Sequence, residues 1–171
     1  MIISKFKKKE NKILYNFCIM LTILTGLPKN NKKDSIACRE FLEKKGRKAI
    51  CGSSTMKMYC RELNIEPKIE IINEGLPQAR YHIFDIDLAS EGAITLNYCY
   101  KILKGNQTDN FEANILANLI KEHKDIHFII GTAQTDTSLY KQNNILPRIE
   151  ITKKIIDYLN DNNFSVSVKY F

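Results

Sequence analysis

The chain lacks most of the short motifs that announce a chemistry. It has no G-x-G-x-x-G, no G-x-S-x-G elbow and no Walker A lysine, since Thr55 is followed by Met56. Dinucleotide binding by the glycine fingerprint, P-loop nucleotide hydrolysis and the hydrolase nucleophile turn are therefore not signalled. Three histidines, His82, His123 and His127, stand at spacings that form no metal-ligand set. The five cysteines, at 18, 38, 51, 60 and 99, form no C-x-x-C and are odd in number. Most sit inside apolar patterns, which fits reduced core residues of a cytosolic protein rather than a disulfide framework. Cys51 abuts a polar loop where a helix start can lower a thiol pKa, but no histidine is nearby, and a structural role is expected. No apolar run is long enough to span a bilayer. Ile13 to Leu24 follows a basic start as a signal peptide would, yet Asn16 interrupts it and no small-x-small site follows. A buried strand ending at Thr25-Gly26 accounts for it.

Charge of one sign is scarce outside the first quarter. Residues 1–48 carry 13 Lys and Arg against 4 acids, and the remainder carries 13 against 15, so the net charge of +7 belongs to the beginning of the chain. The run from Lys5 to Lys12 holds a single aromatic residue, Phe6, less than the interleaving that nucleic-acid recognition would require, and a solvated basic tail is expected. The 171 residues suit one domain with its own core. The expected division is 1–18 as basic tail and lead-in and 19–171 as a single α/β domain.

Within that domain, helical and strand patterns alternate. Asp34 is placed to cap a helix whose inward side carries Ile36, Ala37, Phe41 and Leu42, closed by Gly46. Arg47 to Cys51 reads as a strand, followed by a helix to about Leu63 capped by Ser54 or Thr55. Lys68 to Ile72 reads as an edge strand, Asn73 to Pro77 as a turn, and Tyr81 to Ile86 as a further strand on which His82 is partly exposed. Helices follow from Ile94 to Leu103 and after an Asp109/Glu112 capping box. Ile126 to Ile130 is a strand, Ala133 to Leu146 a polar lid or binding loop, and Pro147 opens a last helix before a strand from Phe164. This order predicts a layered α/β sandwich with a largely parallel sheet and helices on both faces.

Parallel sheets bind ligands beyond the carboxyl ends of their strands. Four polar loops fall there: Thr25-Gly26, Gly52-Ser53-Ser54-Thr55, the stretch from Asp87 through Ser90, Glu91 and Gly92, and Gly131-Thr132. Convergence of these loops predicts a cleft, and the glycine with its Ser/Thr neighbours before a helix predicts that the cleft holds an anion. Asp87 and Glu91 leave a second reading open, an acid–base pair beside the Gly52–Thr55 loop. The simpler role for them is capping and helix-dipole compensation.

Taken together, Ile23-Leu24-Thr25-Gly26-Leu27-Pro28, Ile50-Cys51-Gly52-Ser53-Ser54-Thr55, Asp87-Leu88-Ala89-Ser90-Glu91-Gly92 with Ile94-Thr95-Leu96, and Ile129-Ile130-Gly131-Thr132-Ala133 carry a resemblance. The series, over about residues 20–171, resembles the C-terminal region of bacterial PPM-type serine/threonine protein phosphatases of the stage II sporulation protein E kind. Leu27, Ser53 and Ala89-Ser90 depart from the residues usual in that family. The family's phosphatase domain lies upstream and uses aspartates to hold a metal pair, whereas residues 1–19 contain no Asp. The resemblance therefore implies a non-catalytic accessory or regulatory domain, cytoplasmic, without a metal or cofactor of its own. It would bind a small anionic ligand or a phosphatase or signalling partner, and neither nucleic acid nor membrane. A truncated family product without independent function is the remaining alternative.

Overall fold

The computed structural model describes residues 20–72, 78–134 and 144–171. Its centre is β1 (Met20–Thr25), whose sequence MLTILT is buried on both faces apart from its first residue. A run of this kind, apolar and β-branched without alternation, suits a central strand of a parallel sheet. It pairs in parallel with β2 (Arg47–Cys51) on one side, Thr25 opposite Cys51, and with β6 (Asp125–Ile130) on the other, Thr25 opposite Ile130. Beyond β2 lies the short β5 (Leu88–Ser90), and beyond β6 lies β7 (Ser165–Tyr170), both parallel to their neighbours. An antiparallel pair, β3 (Lys68–Ile72) and β4 (Gln78–His82), completes the sheet beside β5. The order is β3-β4-β5-β2-β1-β6-β7. From β1 the chain passes to β2, crosses to the far edge at β3 and comes back through β4 to β5; it then passes β1 to build β6 and β7 on the other side, so the direction reverses at β1.

Among the described residues five α-helices cover the sheet: α1 (Asp34–Glu43), α2 (Ser53–Leu63), α3 (Ala93–Leu103), α4 (Phe111–Glu122) and α5 (Arg148–Asp161). Alternate strand residues face opposite layers. Leu21, Ile23, Ala49 and Phe128 pack against α3, α4 and α5, while Leu24, Ile50 and Ile129 pack against α1 and α2. The expected layered α/β sandwich with a largely parallel sheet and helices on both faces is the observed architecture.

Several local expectations are corrected. The strand expected over Tyr81–Ile86 lies at Gln78–His82, and the chain then turns through Asp85, at φ +63°, into β5. Leu88–Ser90, expected as loop, is thus an interior strand, and its three residues are all buried. Asp34 does not cap α1. A 3-10 turn over Asn31–Lys33 precedes the helix, and the buried Asp34 carboxylate is held by Arg61 at 2.6 Å. The inward face of α1 is Ala37, Cys38 and Phe41, while Ile36 and Leu42 are exposed. Asn110, not Asp109, caps α4 by accepting from the Ala113 N–H at 2.8 Å, and Glu112 is drawn to Arg80 at 2.7 Å. His82 is exposed, as expected, with Glu70 at 3.3 Å. The basic tail, Cys18, the turn at 73–77 and most of the expected lid lie outside the described residues.

Candidate functional site

The site begins where β1 ends. Thr25 donates its hydroxyl to the Cys51 carbonyl at 2.7 Å, tying β1 to β2 at their carboxyl ends. Gly26 follows at φ +84°, and its N–H donates to the Thr55 hydroxyl at 2.8 Å. The Arg148 guanidinium lies against Gly26 so closely that a Cβ there would come within 2.2 Å of it. Glycine is required on both counts. Gly52, at φ +135°, performs the second turn, from β2 into α2, and approaches Gly92, which makes the equivalent turn from β5 into α3. A Cβ on Gly92 would stand 3.2 Å from the Gly52 Cα.

Two helices of 11 residues therefore start side by side. Neither start is capped by a side chain, and neither first turn contains an acidic residue. The first N–H groups of a helix have no intrahelical acceptor and carry partial positive charge. The cap expected from Ser54 or Thr55 is absent because the helix starts at Ser53 with Gly52 at the cap position, which places both inside its first turn; the Thr55 hydroxyl accepts from the Gly26 N–H, and Ser54 is exposed.

Arg148 opens α5 and closes the cleft from the side of β6. It is 7% exposed, yet its partners are two backbone carbonyls, Thr25 at 3.3 Å and Ala133 at 3.2 Å. Among the described residues no carboxylate lies within 4 Å of it. Burial pulls its pKa down from the usual guanidinium value without supplying a counter-charge. On the opposite composition, Glu91 also lines the cleft and accepts a hydrogen bond from the Tyr81 hydroxyl at 3.2 Å. Burial, then the Glu91 charge, pushes Tyr81 up to about 12, so the phenol stays protonated and remains a donor. The resulting space is a small open cleft of about 90 Å³ between the β1, β2 and β5 ends and the start of α5.

Of the residues expected at a site, Gly26, Gly52, Ser53, Ser54, Thr55, Glu91 and Gly92 line this cleft. Thr25 and Gly131 build its floor through the backbone, with the Gly131 N–H on the Thr25 carbonyl at 2.9 Å. Ser90 is buried at the end of β5, and Thr132 turns to the Phe171 carbonyl, which accepts from its hydroxyl at 2.7 Å. Asp87 is not brought to the cleft. It precedes β5, at the amino edge of the sheet, where it accepts from the Lys48 N–H at 2.7 Å and pairs with Arg47 at 3.0 Å. The three residues of β5, four steps of extended chain or about 13 Å, part it from Glu91. The acid–base pairing of Asp87 with Glu91 is therefore not assembled.

Sequence reasoning missed Arg148 and Tyr81. Arg148 had a signal: it falls on the inward stripe of α5 with Ile151, Ile155 and Leu159, where an unexplained cation marks a buried charge. Tyr81 had none beyond its strand position. Cys51 is fully buried and pushed up to about 12 by desolvation, so it is a neutral core thiol beneath the cleft. Among the described residues no three of His, Cys, Asp and Glu gather as a metal site, and no helix is long and apolar enough to cross a membrane. Compared with known protein families, with curated proteins and with solved structures, the chain matches none of them.

Proposed function

We propose that the chain is a non-catalytic binding module that takes a small anion in the cleft between Gly26, Gly52, Gly92 and Arg148. In this reading it is an accessory domain similar to the C-terminal part of bacterial PPM-type phosphatases, and its ligand state is conveyed to a phosphatase or signalling partner in the cytoplasm. The observation that carries the binding half is Arg148. A buried guanidinium with no acid among the described residues is costly, and an anion beside two uncapped helix starts offsets that cost. The position supports it as well, since the cleft lies beyond the carboxyl ends of the strands, next to the reversal of winding at β1.

Titration calorimetry with inorganic phosphate tests the binding half. Wild-type protein is expected to bind, and Arg148→Met is expected to lose at least about tenfold in affinity, the worth of one charge-assisted contact. Equal binding by both proteins would reject Arg148 as the anchor, and no binding of any anion by the wild type would reject the module reading.

A further inference from the structure

The cleft is bipolar. Arg148 and the two helix starts make one part of it a donor surface, while Glu91 sets a carboxylate into the same space. Glu91 is not neutralised: among the described residues no Lys, Arg or His lies within 4 Å of it. Its side chain is held by the Tyr81 hydroxyl at 3.2 Å, and that phenol is itself anchored in the core at 7% exposure. A carboxylate has about four lone-pair sites, and Tyr81 occupies one. An anion with nothing else to offer meets repulsion from Glu91. A ligand with a hydroxyl near its anionic group satisfies both ends of the cleft.

We propose that the cleft takes a phosphate monoester of a hydroxylated compound, with the phosphate at Arg148 and the two helix starts and a sugar hydroxyl donating to Glu91. This rests on the anion-binding reading above and adds Glu91 as the residue that sets specificity, with Tyr81 as its positioning residue. Phosphate fits better than carboxylate because two helix starts and a guanidinium approach from different directions, and a tetrahedral dianion accepts from several directions at once. The enclosed space, about 90 Å³, holds the phosphate group, and its open mouth leaves the rest of a monosaccharide phosphate or a mononucleotide outside. These share the ribose phosphate chemistry.

Calorimetry on the full chain with inorganic phosphate, ribose 5-phosphate and AMP separates the two proposals. Ribose 5-phosphate is expected to bind at least about tenfold more tightly than inorganic phosphate, as a hydrogen bond to a charged acceptor implies. Glu91→Ala is expected to erase that preference while binding inorganic phosphate as tightly as the wild type or more so. Tyr81→Phe, which keeps the ring in the core, is expected to reduce the preference in part. A further gain with AMP identifies a nucleotide, and no further gain identifies a sugar phosphate. Binding of inorganic phosphate without any gain from the sugar, or a gain that survives in Glu91→Ala, overturns the Glu91 assignment and leaves the anion site standing. If neither phosphate nor either monoester binds the wild type, both proposals fall together.

Discussion

A guanidinium that is 7% exposed and bonded, among the described residues, to two carbonyls alone has given up its hydration for neutral acceptors, a loss of several kcal/mol for a buried ion. Arg148→Met keeps much of the volume and removes the charge. Its ligand-free melting temperature is therefore expected to equal or exceed the wild type's, although phosphate binding is lost, and scanning calorimetry without phosphate checks it. The reverse holds at Thr55, whose hydroxyl accepts from the Gly26 N–H at 2.8 Å in a buried setting. Thr55→Val preserves shape but strands that N–H, at a cost of about 1–3 kcal/mol in urea unfolding. Ser54→Ala, at an exposed position, is expected to change stability by less than about 0.5 kcal/mol. A helix-capping role for Ser54, as its place after Gly52 in the sequence suggests, would give a larger loss there. What a sequence shows at this scale is residue type and spacing. Gly52 and Gly92 were legible as turns, but the Thr55 hydroxyl bonds to a residue 29 positions away, and no local pattern reports such a partner.

At the scale of elements, continuous apolar runs were read correctly, and helix caps and short or competing signals were not. Arg47–Cys51 and Asp125–Ile130 announce themselves by composition. Leu88–Ser90 is only three residues long, flanked by Asp87 and Glu91, and becomes a strand because β2 and β4 supply partners on both sides. Missing it placed Asp87 and Glu91 on one loop, when the strand between them sends them to opposite edges of the sheet. The start of α4 is a similar case. Asp109 and Glu112 satisfy the capping-box spacing, yet Arg80 removes Glu112 from that role: it pairs with it at 2.7 Å while stacking over Phe111 at 4.6 Å from the ring centroid. Asn110 then supplies the cap. Asn110→Ala is expected to cost about 1 kcal/mol, and Asp109→Ala much less. Comparing the two urea midpoints distinguishes the observed cap from the one that spacing alone suggests.

For the whole molecule, alternation of strands and helices was enough for the layered architecture, because a parallel sheet demands crossovers and the crossovers cover its faces. The order of strands was not legible, since it depends on which side of β1 each crossover takes, and with it went the meeting of α5 with the β1 and β2 ends at Arg148. That same lateral order brings His127 of β6 beneath α1 and beside β7, in a place no periodicity marks. Its Nδ1 lies 2.6 Å from the Ser167 hydroxyl, Glu40 lies 3.7 Å from its Nε2, and Lys44 and Lys169 are the cations that act on it. Burial lowers its pKa below the usual 6.5, Lys44 and Lys169 lower it further, and Glu40 opposes them. The folded state then binds fewer protons than the unfolded chain once the pH falls below about 6.5, so the stability that neutral His127 contributes is complete above that pH and is lost as the pH falls toward its folded pKa. Glu70, whose carboxyl is held below its usual 4.5 by His82 and then by Arg80, acts only at more acidic pH. Urea midpoints measured between pH 7.5 and 5 are therefore expected to decline for the wild type, with a shallower decline for His127→Gln. An unchanged slope in the variant would show that the acid sensitivity of the sheet originates at another group.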